Sequence, residues 1–175
     1  MKIAGIDPAL NNFGFALGTM TGDKIKINDI SLCQTFSKKA KIKRIDDLRR
    51  ARELYEAASS ICSKADKIVV EIPGGSQSAR AAFASGVCLG VISALQCEHK
   101  GDFYFVTPGA SKEAATQSRH ATKEEMIEWA HSLYPLLPWM YYRGKLQKKN
   151  EHMADAIAAI NCFAKQNSLK MIPKV

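Results

Sequence analysis

Two short apolar segments, each with an acid at or next to its end, narrow the choice of fold for this 175-residue chain more than any other feature. The segment KIAGID ends at Asp7, and KIVVEI carries Glu71 next to its last residue. Both have the length and the Ile and Val content of buried strands, and turn residues follow each of them. Because open α/β sheets place ligands beyond the carboxyl ends of their strands, neighbouring strands would bring these two carboxylates together.

The remaining elements predict an α/β fold with helices flanking a mixed sheet. Three consecutive strands with short connections indicate an antiparallel meander, and alternating helices and strands follow it. The predicted strands cover residues 2–7, 13–20, 24–33, 67–72 and 103–106, and the predicted helices cover 42–63, 79–98, a segment after a capping box at Thr122 and Glu125, and about 150–164. We therefore expect one α/β domain over residues 1–175, whose mixed five-stranded sheet has three antiparallel strands followed by two parallel ones.

Two helices carry predictions about packing. Apolar residues at helical spacing predict the buried face of the first helix, and they are Ile45, Leu48, Ala51, Tyr55, Ala58 and Ile61. In the second helix, Gly86 and Gly90 lie four residues apart, which favours close packing on a sheet.

The chain is basic, with 25 Lys and Arg against 17 Asp and Glu, a formal charge of +8 and a pI near 9.3. This balance favours a polyanionic partner. One cluster lies between Ser37 and Arg52, and a second follows the aromatic residues of PWMYYRGKLQKKN and consists of Arg143, Lys145, Lys148 and Lys149. A solvated surface is the alternative interpretation of each cluster.

The cysteines and the apolar segments predict a cytoplasmic protein without a membrane partner. There are five cysteines, an odd number, and none forms a CxxC pair, so we expect reduced thiols rather than disulfides or zinc ligands. No signal-peptide pattern opens the chain, and the apolar stretch GVCLGVISAL is too short by itself to cross a bilayer.

A third source of ligating side chains is the segment NEHMADAIAAI. His152 and Asp155 are three residues apart, which places them on one face of a predicted helix. Together with Asp7 and Glu71 they would supply hard oxygens and one neutral imidazole, a set suited to two Mg²⁺ or Mn²⁺ ions. Two such ions support in-line displacement at phosphorus. The alternatives are an Asx turn at Asp7 and an ordinary surface or core histidine at His152.

The order and spacing of these motifs resemble the RuvC-type Holliday junction resolvases of the RNase H-like superfamily. GIDPALNNFGFAL is similar to that family's first strand, acid, turn and second strand, and IVVEIP is similar to its glutamate strand. Gly86 and Gly90 match its Gly-x-x-x-Gly helix, and His152 with Asp155 matches its closing acid pair. The resemblance covers nearly the whole chain.

The resemblance implies roles for the site residues. Asp7 would bridge two metal ions, Glu71 would hold one of them, and His152 with Asp155 would hold the other. Lys112 and Lys123 lie eleven residues apart, like a lysine pair of the family that faces the scissile DNA backbone. Lys123 would then act in catalysis and both lysines would bind DNA, unless they are ordinary surface lysines.

Three features depart from the family pattern and are typical of a divergent, phage-type member. A histidine stands at position 152 where many members have aspartate, so we expect activity to fall in acid, since imidazole binds metal only when neutral. The loop IPGGSQSAR lacks the apolar and aromatic residues with which the family opens junctions, and Arg80 or Gln77 would have to make polar contacts instead. The segment from Tyr134 to Asn150 is unusually long, and its aromatics (Trp139, Tyr141 and Tyr142) would either stack on bases or pack on the domain.

The sequence thus predicts a homodimeric, Mg²⁺-dependent crossover junction endonuclease that binds branched DNA in recombination and repair. Three alternatives stay open: a related nuclease acting on RNA–DNA hybrids or other branched DNA, an actin-like ATPase domain, and a DNA-binding module in which the acids are structural. Cleavage assays, ATP hydrolysis and metal titration would separate them.

Overall fold

The computed structural model describes residues 1–22, 24–39, 42–72, 74–75, 78–99 and 101–170, and for residues 43 and 167–170 it describes the backbone alone. Its strands are β1 (Lys2–Asp7), β2 (Asn12–Thr21), β3 (Lys24–Gln34), β4 (Lys67–Glu71), β5 (Asp102–Val106), β6 (Tyr141–Tyr142) and β7 (Lys145–Leu146). Its helices are α1 (Lys43–Cys62), α2 (Ala79–Glu98), α3 (Pro108–Thr116), α4 (Lys123–Leu133) and α5 (Glu151–Lys170), with a 3₁₀ turn at Lys148–Asn150 before α5.

The main sheet has the strand order β3-β2-β1-β4-β5. Strands β1, β2 and β3 pair antiparallel, whereas β1, β4 and β5 run parallel. The predicted mixed sheet of three antiparallel and two parallel strands is therefore confirmed. The capping box at the start of α4 is also present, because the Thr122 hydroxyl accepts from the Glu125 N–H and the Glu125 carboxylate accepts in return.

Helices cover both faces of this sheet. Helix α5 packs on one face, with α3 and α4 against its outer side, and α1 and α2 cover the other face. The approach of α5 requires glycine in two strands. A Cβ atom on Gly5 would lie 2.0 Å from the Ala156 carbonyl oxygen, and one on Gly14 would lie 2.0 Å from that of His152. The absence of these two side chains thus lets the start of α5 lie directly on the backbone of β1 and β2.

The predicted buried face of α1 is wrong over its first two turns. Ile45 and Leu48 are 59% and 71% exposed, whereas the buried residues there are Asp46, Asp47 and Arg50. Hydrogen bonds to residues outside the helix explain the difference. For example, the Asp46 carboxylate accepts from the Lys38 N–H at 3.0 Å.

The structure differs from the prediction in three further respects. Gly86 and Gly90 do not face the sheet, since a Cβ on either would meet nothing within 4 Å. Helix α3 was not predicted, and α5 continues to Lys170 rather than ending near residue 164. Gln77, predicted as a DNA contact, lies outside the described residues.

The long segment before α5 folds as a hairpin. Strands β6 and β7 pair antiparallel around Arg143 and Gly144, which both have positive φ angles, as a tight hairpin turn demands. Trp139 is buried, and its indole N–H donates to the Tyr134 carbonyl at 2.8 Å, so this aromatic packs on the domain rather than on a base. Tyr142 is 65% exposed.

Within the described part of the chain, α2 is the one helix whose length and composition would suffice to cross a membrane, although the apolar stretch GVCLGVISAL alone is shorter. This is weak evidence for a span, because helices in the core of a protein meet the same criterion.

Candidate active site

The carboxyl ends of β1 and β4 bring the two predicted strand acids together. Ile6 pairs with Val70 in the parallel register, so the next residues along both strands, Asp7 and Glu71, lie side by side. The Glu71 residue is 7% exposed, and its Oε2 atom is buried with no hydrogen-bond partner. An unpartnered buried carboxylate oxygen is costly, and a cation bound in the cavity would offset this cost.

The first turn of α5 adds the imidazole and another carboxylate. His152 Nδ1 lies 2.6 Å from Asp7 Oδ2, and both side chains are 15% exposed. In a neutral imidazole, donation from Nδ1 to the Asp7 carboxylate would leave Nε2 as the basic nitrogen, and Nε2 lies 3.5 Å from Glu151 Oε1. Asp155 lines the same cavity one turn further along α5. The predicted sharing of one helix face is therefore confirmed.

Burial and mutual repulsion make these carboxyl groups weak acids. Burial, with the neighbouring Asp7 carboxylate, raises the pKa of Glu71 to about 7. Burial, with the Asp7 and Glu71 carboxylates, raises the pKa of Asp155 to about 8. The pKa of Asp7 is raised by burial as well, against the opposing effect of its hydrogen bond to His152. A divalent cation would offset this repulsion.

Both predicted lysines reach the cavity from separate elements. Lys112 on α3 donates to the Ala121 carbonyl at 2.8 Å. Its positive charge partly opposes the rise in the pKa of Glu71 and Asp155 that burial causes. Lys123, the first residue of α4, lies 2.7 Å from Glu151 Oε1.

Glu151 is a site residue that sequence analysis missed. Its side chain is 12% exposed, one of its oxygens contacts Lys123, and the same oxygen lies 3.5 Å from His152 Nε2. The sequence NEHMADA places it next to His152. A glutamate in the first turn of a helix is nevertheless common, because the positive end of the helix dipole stabilises it, so the sequence alone did not mark it as a site residue. Only the fold shows that it points inward.

Together these side chains surround a cavity of about 440 Å³ at the end of the parallel strands. Its polar lining consists of Asp7, Glu71, Ser85, Lys112, Lys123, Glu151, His152 and Asp155. No three His, Cys, Asp or Glu side chains in the described ranges have their ligating atoms already arranged around a common metal position. The donor set nevertheless fits a hard divalent cation, since carboxylates converge on one cavity and Glu71 Oε2 is unpartnered.

The predicted DNA-binding residues fall in two other places. Arg80 lies near the start of α2, in a groove next to the catalytic cavity. Four more cationic residues lie on the hairpin and the turn after it, where they line a surface groove of about 610 Å³: Arg143, Lys145, Lys148 and Lys149. Lys148 Nζ is 3.7 Å from a carboxylate oxygen of Glu124, beside Lys123, so this basic surface reaches the rim of the cavity.

Comparison with known proteins agrees with this arrangement. No protein-family model matches the chain. The crossover junction endodeoxyribonuclease RuvC of Alkaliphilus metalliredigens (strain QYMF) is 24% identical over 177 residues, covering 100% of this chain and 99% of that protein. T. thermophilus RuvC in complex with Holliday junction substrate superposes with a TM-score of 0.75, with 20% identity, over 97% of this chain and 96% of that one.

The resemblance to RuvC-type resolvases is confirmed. A viral resolvase shares the same fold. The Fowlpox virus resolvase, solved with substrate Holliday junction DNA, has a TM-score of 0.55 and 12% identity over 95% of this chain and 99% of that one. Because the solved structures are less than 25% identical to this chain, they show a shared fold, and the chemistry must be argued from its own residues.

The residues named through the RuvC-type resemblance can now be located in the structure. The cavity brings His152 and Asp155 together with Asp7 and Glu71, the four residues to which the resemblance assigned metal ligation. The RuvC-type resemblance also implied a lysine pair, and both lysines line that cavity. Their roles in this chain remain predictions.

Proposed function

We propose that this protein is a metal-dependent, structure-specific endonuclease that resolves four-way DNA junctions by phosphodiester hydrolysis, in DNA recombination and repair in the cytoplasm. The observation that carries the proposal is the convergence of Asp7, Glu71, Asp155 and His152 on one cavity at the end of the parallel strands. The chain carries a formal charge of +8, and basic side chains line two further grooves outside the cavity, as a DNA substrate requires. One relative that matches over the full length, at 24% identity, is named for the same activity.

The cavity would hold two Mg²⁺ ions, which Mn²⁺ would replace. Asp7, Glu71, Asp155 and His152 would hold these ions. When bound, such ions activate water and stabilise the oxygens of an in-line displacement at phosphorus.

The chain's own residues orient the substrate and handle protons. A hydrogen bond from Nδ1 to Asp7 would orient the His152 ring and leave Nε2 of the neutral imidazole for ligation or proton acceptance. Attack by a water oxygen on phosphorus breaks the bond to the leaving oxygen, so one proton must leave the water and one must reach the leaving group. Lys112 and Lys123 are the cations that line the cavity and would bind the nonbridging phosphate oxygens.

Resolution of a two-fold symmetric junction calls for two active sites, and we expect a homodimer with twice the 19.3 kDa mass of the chain. The outer face of α2 suits this contact. It carries Gly86, Leu89 and Gly90 in exposed positions, with open space around both glycines. Small residues on a helix permit a second helix to approach closely.

The direct test is incubation with a labelled four-way junction, with Mg²⁺ or with excess chelator. We expect the wild type to cut the junction only with Mg²⁺, and Asp7→Asn to bind it without cutting. A plain duplex and an RNA–DNA hybrid are the comparison substrates. Preferential cutting of the hybrid would favour the related nuclease activity, and binding without cutting under all conditions would favour a DNA-binding module.

A glycine substitution tests whether α5 positions the site. Gly14→Ala places a methyl group 2.0 Å from the His152 carbonyl and 2.8 Å from its Cβ, so α5 must move away from β2. A displacement of about 1 Å is expected to lower the cleavage rate by about 10²-fold. Gly109→Ala is the matched control, because its nearest neighbour would be the Arg119 side chain at 3.9 Å. Equal cleavage by both variants would contradict the positioning role of this packing.

The basic hairpin is expected to strengthen DNA binding. Exchange of Arg143 and Lys145 for glutamine should lower junction affinity by about tenfold at moderate salt and reduce the slope of log K against log salt by about 2, since two phosphate contacts are lost. The control variant replaces Lys24 and Lys26, which are exposed on β3, with glutamine, and so removes two positive charges away from the hairpin. If both double variants change affinity equally, the hairpin contributes only net charge.

A further inference from the structure

A second cavity adjoins the catalytic one and has no role in the chemistry described above. It measures about 790 Å³ and lies between the β1–β2 connection and the first turns of α1 and α2. Ala9, Leu10, Ala81, Ala84 and His152 line both cavities. A strand that enters the catalytic cavity therefore has a continuous path into this groove.

The groove is cationic, and part of it is rigid. Its charged lining consists of Arg44, Arg50, Arg80 and Asp47, with His152 at the end that it shares with the active site. Arg50 is 6% exposed, and it donates to the Leu10 carbonyl at 3.1 Å and to the Asn11 side chain. These bonds tie the β1–β2 connection to α1, so one wall of the groove is fixed before any ligand arrives.

The other two arginines are available to a ligand. The side chain of Arg44 is 70% exposed, and its guanidinium lies 3.7 Å from Asp47, a long ion-pair distance. Arg80 is exposed, and no carboxylate of the described residues lies within ion-pair distance of it. It also sits in the first turn of α2, where helix N–H groups favour an anion. The groove thus has cations for a phosphate beyond those in the catalytic cavity.

An aromatic ring stands beside these cations. Phe83 is 37% exposed, and the Arg44 guanidinium lies 4.1 Å from its ring centroid. Two flat groups in contact, one apolar and one cationic, form a platform on which an unpaired nucleobase can stack. A paired base inside a duplex has both faces covered and cannot use such a platform.

We propose that this groove binds one unstacked nucleotide of the cleaved strand, with its base on the Arg44–Phe83 pair and its phosphate near Arg80. The continuity with the catalytic cavity makes the occupant the neighbour of the scissile phosphate. The groove would therefore favour branched DNA, in which bases at the branch point are easily unpaired. This inference rests on the proposed junction cleavage and adds the residues that select the substrate.

The test uses junctions that carry 2-aminopurine at successive positions beside the cleavage site, bound by the full-length protein in the Asp7→Asn background to prevent cutting. Unstacking raises the fluorescence of this base. We expect a several-fold rise at one position, and its loss in Phe83→Leu and Arg44→Gln. In the catalytically intact protein, the same substitutions should lower junction affinity by about 10-fold to 100-fold, the effect expected for one stacked base.

Matched controls separate this site from general effects. Phe36→Leu changes an aromatic that is 68% exposed elsewhere, and Arg52→Gln changes an exposed arginine of α1 that pairs with Glu56. Both should keep the fluorescence rise.

Intact junction cleavage by the wild type with no fluorescence rise at any position would overturn this inference and leave the proposed function standing. A Phe83→Leu protein that becomes monomeric would assign the ring to the subunit contact and also overturn it. Failure of the wild type to bind any junction would defeat the proposed function itself.

Discussion

Glu71→Gln is expected to lower junction cleavage by about 10³-fold, equal to about 4 kcal/mol of transition-state stabilisation, and to make the metal-free protein more stable. Glutamine keeps the shape of the side chain but cannot supply a negative charge to a cation. The gain in stability arises because the carboxylate is buried, with one oxygen unpartnered. Loss of activity with a gain in stability is characteristic of a residue kept for function rather than for folding.

The stability effect depends on pH in a defined direction. Burial raises the pKa of Glu71 from 4.5 to about 7 in the folded protein, so the folded state binds the proton more tightly than the unfolded state. Ionisation therefore destabilises the wild type progressively between about pH 4.5 and 7 and by a constant amount above that range. We expect Glu71→Gln to raise the free energy of unfolding by up to about 3 kcal/mol at pH 8, and by almost nothing at pH 4.

Thermal unfolding in chelator at both pH values measures this effect. Glu56→Gln is the matched control, because that side chain is 60% exposed and pairs with Arg52 on the surface. It should change neither cleavage nor the pH dependence of stability. A Glu71→Gln protein that cuts junctions at the wild-type rate would remove Glu71 from the proposed metal site.

Mg²⁺ is expected to stabilise the wild type strongly at pH 8 and weakly at pH 5.5. The carboxyl groups of Glu71 and Asp155, with pKa values of about 7 and about 8, must lose their protons before they bind a cation. At a hundredfold excess over the dissociation constant, binding would add about 2.7 kcal/mol to stability. The same proton release predicts cleavage that increases from pH 6 to pH 8.

Differential scanning fluorimetry with Mg²⁺, and with NaCl at equal ionic strength, checks this expectation. The double variant Glu71→Gln with Asp155→Asn should lose the Mg²⁺ effect at every pH. A shift that is equal at pH 5.5 and pH 8, or that NaCl reproduces, would show that Mg²⁺ acts by general screening rather than at these carboxylates.

Much of the catalytic cavity could be predicted because its signals are local. Asp7 and Glu71 stand out as acids at the ends of apolar strands, and His152 and Asp155 share a helix face by their spacing alone. Parallel strands then bring the two strand acids together, since their register fixes which residues are neighbours.

Other features depend on partners that are distant in sequence. The buried face of α1 differs from the apolar pattern because Arg50 binds the β1–β2 connection about 40 residues earlier. The ion pair of Lys123 with Glu151 and the stacking of Arg44 on Phe83 likewise join separate elements. No periodicity within one segment carries information about such pairs.

The amino-acid sequence by itself determined the strands of the mixed sheet and the acids at their ends, because strand and helix periodicities follow from short-range geometry. Only the tertiary structure decided that His152 contacts Asp7, that Glu151 points inward, and that a cationic groove continues from the active site. These outcomes depend on how closely α5, α1 and α2 approach the sheet, and that approach is set by the packing of the whole core.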